Sequence, residues 1–142
     1  MILGSLERAK SLEFDTLIQL SSALVSDEFE TSRQLLDAAK GDESILRAAG
    51  VIARVALERH LFTVADARGV TIEINPPNKK KAEGQDVLNS LGKATVITAI
   101  QKSELESLIR IGNNCAHPKE SVKERDVERL VERAKEMAAT IA

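Results

Sequence analysis

The chain has 142 residues, of which 43% are apolar and 30% charged, enough for one domain with its own core. Its formal charge of −2 excludes a protein that holds nucleic acid by bulk charge, and 2% aromatics, with no Trp or Tyr, disfavour sheet cores and base-stacking platforms. A single cysteine, Cys115, excludes an internal disulfide and suits a reducing compartment. No apolar run is long enough for a membrane span, and the first residues do not read as a signal peptide. The expected location is cytoplasmic.

In chain order the pattern is helical throughout. Leu6, Ala9, Phe14, Leu17, Leu20 and Leu24 trace an apolar face over about Ser5–Leu24. Ser26-Asp27 reads as the N-cap of a second helix carrying Phe29, Leu35 and Leu36 and closed at Gly41. Asp42 caps a third, from Glu43 to Ala67, apolar on most sides: Ile45, Ala49, Ile52 and Ala56 on one face, widened by Ala48, Val51, Val55 and Phe62. Such a helix belongs at the centre of a bundle. Gly69 ends it. Val70–Ile74 alternates like a strand but has none to pair with, so it is expected to be an extended connection.

The segment Asn75–Gly84 is built of breakers and charge and predicts a loop. A short helix over Gln85–Leu91 follows, ending at Gly92, and then a long one from Thr95 to Ala116. Ile97, Ile100, Leu105, Leu108, Ile111 and Cys115 form its expected buried stripe, and Pro118 stops it. Ser121 and Glu124 have capping-box spacing ahead of a last helix whose apolar face is Val127, Leu130, Val131, Ala134, Ala138 and Ile141. The expectation is an all-α bundle of four to six helices in a single domain, residues 1–142.

Candidate chemistry concentrates at Arg110-Ile-Gly-Asn-Asn-Cys-Ala-His-Pro118. At about 100° per residue, Asn114 lies about 40° beyond Arg110, His117 about 20° back and Asn113 about 60° back. A guanidinium, amides and an imidazole on one ridge suit a phosphate with a proton donor beside it. The blander alternative is that Asn114 and His117 cap the helix end while Arg110 pairs with a nearby acid. Gly112, costly inside a helix by roughly 1 kcal/mol, suggests close approach of another backbone. Arg54 and His60 have similar spacing, but a helix sets them about 240° apart, so His60 is expected to be a surface residue. Arg54 and Glu58 are i,i+4 neighbours expected to pair, with one of them a candidate to reach the motif. Lys79-Lys80-Lys81 reads as a solvated loop that could touch a phosphate, and Cys115 as a small core residue. No metal-ligand spacing, glycine-rich phosphate loop or nucleophile elbow occurs, so no cofactor is expected.

The stretch Leu108–Pro118 resembles the signature of the HEPN superfamily, an arginine followed four to six residues later by a histidine, and is closest to the branch with Gly-Asn and Ala-His inside that spacing. Ala53–Glu58 resembles that branch's Arg-x-x-x-Glu segment and Asp126–Leu130 its closing helix. The resemblance covers about Glu43–Ile141 and hardly touches residues 1–40. It implies a helical bundle that dimerises through the motif helix, with a shared cleft. It further implies a metal-independent endoribonuclease of toxin–antitoxin, abortive-infection or other defence type. Arg110 would then hold the scissile phosphate and His117 would be the acid/base, yielding a cyclic phosphate. Asn113 or Asn114 would supply the polar group that active members often carry right after the arginine, where this chain has Ile111. Arg54, Glu58 and Gly112 would support the site. The implied partners are a second copy, an RNA, and an antitoxin or other protein. The alternative is a non-catalytic HEPN dimer that binds RNA or a protein partner, for which Ile111, the acidic balance and the scarcity of aromatics speak.

Overall fold

The computed structural model describes residues 24–142, which form five helices: α1 (24–39), α2 (Glu43–Ala67), α3 (Gly84–Lys93), α4 (Ala99–Ala116) and α5 (Glu124–Thr140). No strand occurs among the described residues. The helix expected over Ser5–Leu24 lies outside them except for Leu24.

The α2 helix is the hub. The Asp42 carboxylate accepts from the Ser44 and Ile45 amides at 2.9 and 3.3 Å, satisfying two of the first-turn donors. Gly69, at φ +66, reverses the chain so that the Val70 amide bonds the Ala65 carbonyl at 2.9 Å. Between these ends α2 packs on α3, α4 and α5, and Ser32 of α1 donates to its Ala49 carbonyl at 2.8 Å. Its buried face is Leu46, Ala49, Ala53, Ala56, Leu57, Leu61 and Val64. Ala48 and Val55, expected to be buried, are exposed, while Ile45, Val51, Ile52 and Phe62 are half-buried. A helix apolar nearly all round leaves its buried face to its neighbours, and here the small residues take the tightest crossing.

At that crossing α2 and α4 each present a glycine to the other. A Cβ on Gly50 would lie 2.3 Å from Cys115 Sγ, and one on Gly112 would lie 2.4 Å from Arg54 Cβ. Cys115 is buried, as expected of a core residue.

Several boundaries differ from expectation. Ser26-Asp27 is not an N-cap, because helix runs through it; Val25, Phe29, Ser32, Leu36 and Ala39 are buried at 4-3-4-3 spacing, and that stripe outweighs the local capping preference. α3 passes through Gly92 to Lys93, and Thr95, at φ +58, then turns the chain so that the Val96 amide bonds the Leu91 carbonyl at 3.0 Å. α4 therefore starts at Ala99 rather than Thr95, behind a reciprocal box in which Thr98 Oγ1 and Gln101 Oε1 each accept the other residue's amide at 3.1 and 2.9 Å. Ser121 caps nothing, and α5 begins after Lys123.

Residues 70–74 are an extended connection, as expected. The Glu73 amide donates to Ser90 Oγ at 3.0 Å and the next-door Asn75 amide to Asp86 Oδ1 at 3.2 Å, so α3 supplies what a partner strand would. Of the expected α4 stripe, Ile97, Leu105, Leu108 and Cys115 are buried, Ile111 is half-buried, and Ile100 is 83% exposed; Ile109 is buried in its stead. The whole expected face of α5 is buried, with Met137 added, and Arg133 grips Glu104 of α4 through two 2.7 Å hydrogen bonds. His60 is not on the surface: it is 7% exposed and its Nε2–H donates to the Ile141 carbonyl.

Candidate functional site

A cavity of about 590 Å3 opens between α2, α4 and the segment entering α3. α4 contributes Glu106, Ile109, Arg110, Asn113 and His117, successive residues of one ridge. α2 contributes Arg54 and Glu58, and residues 81–85 form the remaining wall. His60 faces a different cavity, beside Phe29 and Lys135.

Arg110, Asn113 and His117 thus meet in one place. Arg110 and His117 are both exposed, and among the described residues neither side chain makes an ion pair or hydrogen bond. The expected pairing of Arg110 with a neighbouring acid does not occur, although Glu106 stands one turn before it. The Glu106 carboxylate is engaged instead by Gln85, whose Nε2 donates to Oε2 at 3.2 Å. Asn114 is not in the cavity. It lies on the opposite side of Arg110 from Asn113 and His117, is half-buried, and offers its backbone carbonyl to Arg47. Ile111 packs against the core, so the position after the arginine holds no polar group toward the cavity.

Arg54 and Glu58 pair within α2, Nη1 to Oε1 at 3.5 Å, and also reach the motif; the two expectations for them hold together. Glycines make the reach possible. Without a side chain at Gly112, the Arg54 stem lies flat on α4, where a Cβ would stand 2.7 and 2.8 Å from its Cδ and Cγ. Gly84 likewise admits Glu58, whose Oε1 would be 2.7 Å from an added Cβ. Burial pushes the Glu58 carboxyl above its usual 4.5, and Arg54 pulls it back in part. Among the described residues, Arg54 Nε is buried without a hydrogen-bond partner.

The lysine run divides. Lys79 is tied to Asp86 at 2.7 Å, a contact that raises the lysine pKa and lowers that of the aspartate, whereas Lys81 is exposed on the cavity wall. The cavity therefore carries Arg54, Lys81 and Arg110 against Glu58, Glu83 and Glu106, with His117 at one end.

Arg47 was not singled out from the sequence, yet it builds one end of the site. Its Nη1 donates to the carbonyls of Asn114, Cys115 and His117 at 3.1, 3.2 and 2.8 Å, and its Nη2 donates to the Glu120 carbonyl and to Glu43 at 2.8 Å. The end of α4 is thus capped by a guanidinium from α2, not by the Asn114 and His117 side chains, which leaves the imidazole free to face the cavity. The signal was present: the last turn of α4 has no basic residue, so its carbonyls need a donor from elsewhere. Glu106 was legible too, since it shares the face of Arg110.

Among the described residues no three His, Cys, Asp or Glu side chains are placed to hold a metal ion, and no helix is long and apolar enough to cross a membrane. The class defined by fold and site is an all-α bundle with a polar, mixed-charge cavity on its α4 ridge. No family model, curated protein or solved structure matches the chain.

Proposed function

We propose that this cavity is the active site of a HEPN-type, metal-independent endoribonuclease of the toxin or defence kind, completed when two copies meet along α4. The observation that carries the reading is that Arg110 and His117, both without side-chain partners among the described residues, face one cavity. A guanidinium free of internal partners is ready to take two phosphate oxygens. An imidazole there can take the proton from a ribose 2′-hydroxyl. The 2′-oxygen then attacks phosphorus, the bond to the 5′-oxygen breaks, and that oxygen takes a proton. The products are a 2′,3′-cyclic phosphate and a 5′-hydroxyl. One imidazole cannot be base and acid at once; a second copy of His117 across a two-fold axis supplies the other role. Asn113 supplies the amide, and the Arg54–Glu58 pair backs the ridge.

End-group analysis tests the reaction class. RNA incubated in EDTA should yield 2′,3′-cyclic phosphate and 5′-hydroxyl ends, and the same oligomer with 2′-deoxyribose should stay intact. RNA that is bound but never cut would instead support the non-catalytic dimer module, which the three carboxylates of the cavity favour.

A further inference from the structure

The end of the cavity away from His117 has a chemistry that phosphate binding does not use. Glu106 precedes Arg110 by one helical turn, about 6 Å along the axis, so that, with the reach of both side chains, one ridge can hold a phosphate and the base of the same nucleotide. Beside it stands Gln85, whose amide NH2 is committed twice: to Asn89 Oδ1 at 2.9 Å and to Glu106 Oε2 at 3.2 Å. The flanking acceptors fix which way that amide points, because its carbonyl would be repelled by both. Gln85 therefore has only its carbonyl oxygen left to offer, and Glu106 only Oε1. Between them the two side chains therefore offer acceptors and no free donor.

Bases differ in what they bring to such a pair. Guanine presents two adjacent donors, N1–H and N2–H, and a carboxylate can accept both. Adenine and cytosine each present a donor beside an acceptor, and uracil one donor flanked by carbonyls. An acceptor-only pair of side chains meets unpaired repulsion with those three and none with guanine.

We infer that Glu106 and Gln85 form a base subsite selecting guanine in the nucleotide whose phosphate lies at Arg110. This rests on the proposed ribonuclease reading for the placement of the phosphate. It adds a specificity that the motif residues themselves do not provide.

Binding tests it apart from cleavage. Four pentamers, UUXUU with X as G, A, C or U, are made with 2′-O-methyl ribose, which removes the attacking hydroxyl. The G pentamer should bind the wild-type protein roughly tenfold more tightly than the other three, the range of one good bidentate base contact. Glu106→Gln should bring the four to within about twofold, since the amide puts a donor where the pair had only acceptors. Gln85→Ala should reduce the preference in part, and unchanged thermal melting shows that both variants are folded. Equal binding of the four, a preference that survives Glu106→Gln, or no binding of any pentamer overturns the subsite. A guanine preference with no cleavage of the 2′-hydroxyl oligomers keeps the subsite and overturns the ribonuclease.

Discussion

Gly112 shows how one absent side chain organises the site. Alanine is the better helix former by about 1 kcal/mol, so the bare substitution favours α4. Its Cβ, however, would stand 2.4 Å from the Cβ of Arg54, an atom fixed to the α2 backbone that no rotamer change can move. The helices must part, and overpacking of this kind costs about 1–3 kcal/mol. Gly112→Ala should therefore destabilise the protein in urea unfolding and displace Arg54 from the cavity, lowering RNA binding with Arg110 and His117 intact. At Gly50 the obstacle is the end of a short side chain, Cys115 Sγ at 2.3 Å. Gly50→Ala should destabilise, Cys115→Ala should restore much of the loss, and the double-mutant cycle should give a coupling of about 1 kcal/mol or more. Glu58 makes a pH prediction. Its folded pKa is raised above the usual 4.5, so between the two values the folded protein holds more protons than the unfolded chain. That contribution to stability is fully present below about 4.5 and is lost as pH rises through the folded value. Chemical unfolding across this window should show a falling slope that Glu58→Gln flattens.

At the scale of elements, α4 depends on α2 for its end. Arg47 satisfies carbonyls that α4 cannot satisfy itself, and hydrogen bonds to a charged group contribute about 1.5–3 kcal/mol where one is lost. Arg47→Ala should lower stability in thermal unfolding by about that much. It should also loosen the backbone at His117, so that turnover falls more than binding at Arg110; equal losses of both would mean that the cap only stabilises the fold. The limits of α2 were legible because Asp42 and Gly69 act locally. Those of α1 and α4 were not. At Ser26-Asp27 a good capping pair is overridden by a buried stripe, and at Thr98 the reciprocal box with Gln101 was passed over for Thr95. Ile100 failed differently: an isoleucine at the first turn of an amphipathic helix looks internal by period, yet it is 83% exposed.

At the scale of the whole molecule, the bundle gathers chemistry from three stretches of chain. The Arg110–His117 ridge could be read from helical angles alone, but the same reading put Asn114 on it, and the structure leaves Asn114 outside the cavity. The walls were legible only in part: the Arg54–Glu58 pair and the lysine run stood out as candidates, but Gln85 did not, and tertiary packing alone brings all of them to the ridge. The mixed charge of the cavity follows from those walls, in which Arg54 pairs with Glu58 while Arg110 makes no ion pair among the described residues. The claim that this cavity cleaves RNA is tested most directly by Arg110→Ala and His117→Ala in EDTA beside the wild-type protein. Both side chains are exposed and, among the described residues, unpartnered, so each variant should melt within a degree or two of the wild type. Each should lose at least about a hundredfold in cleavage rate, the usual contribution of a positioned acid/base. Cleavage that survives either substitution at close to the wild-type rate would contradict the account.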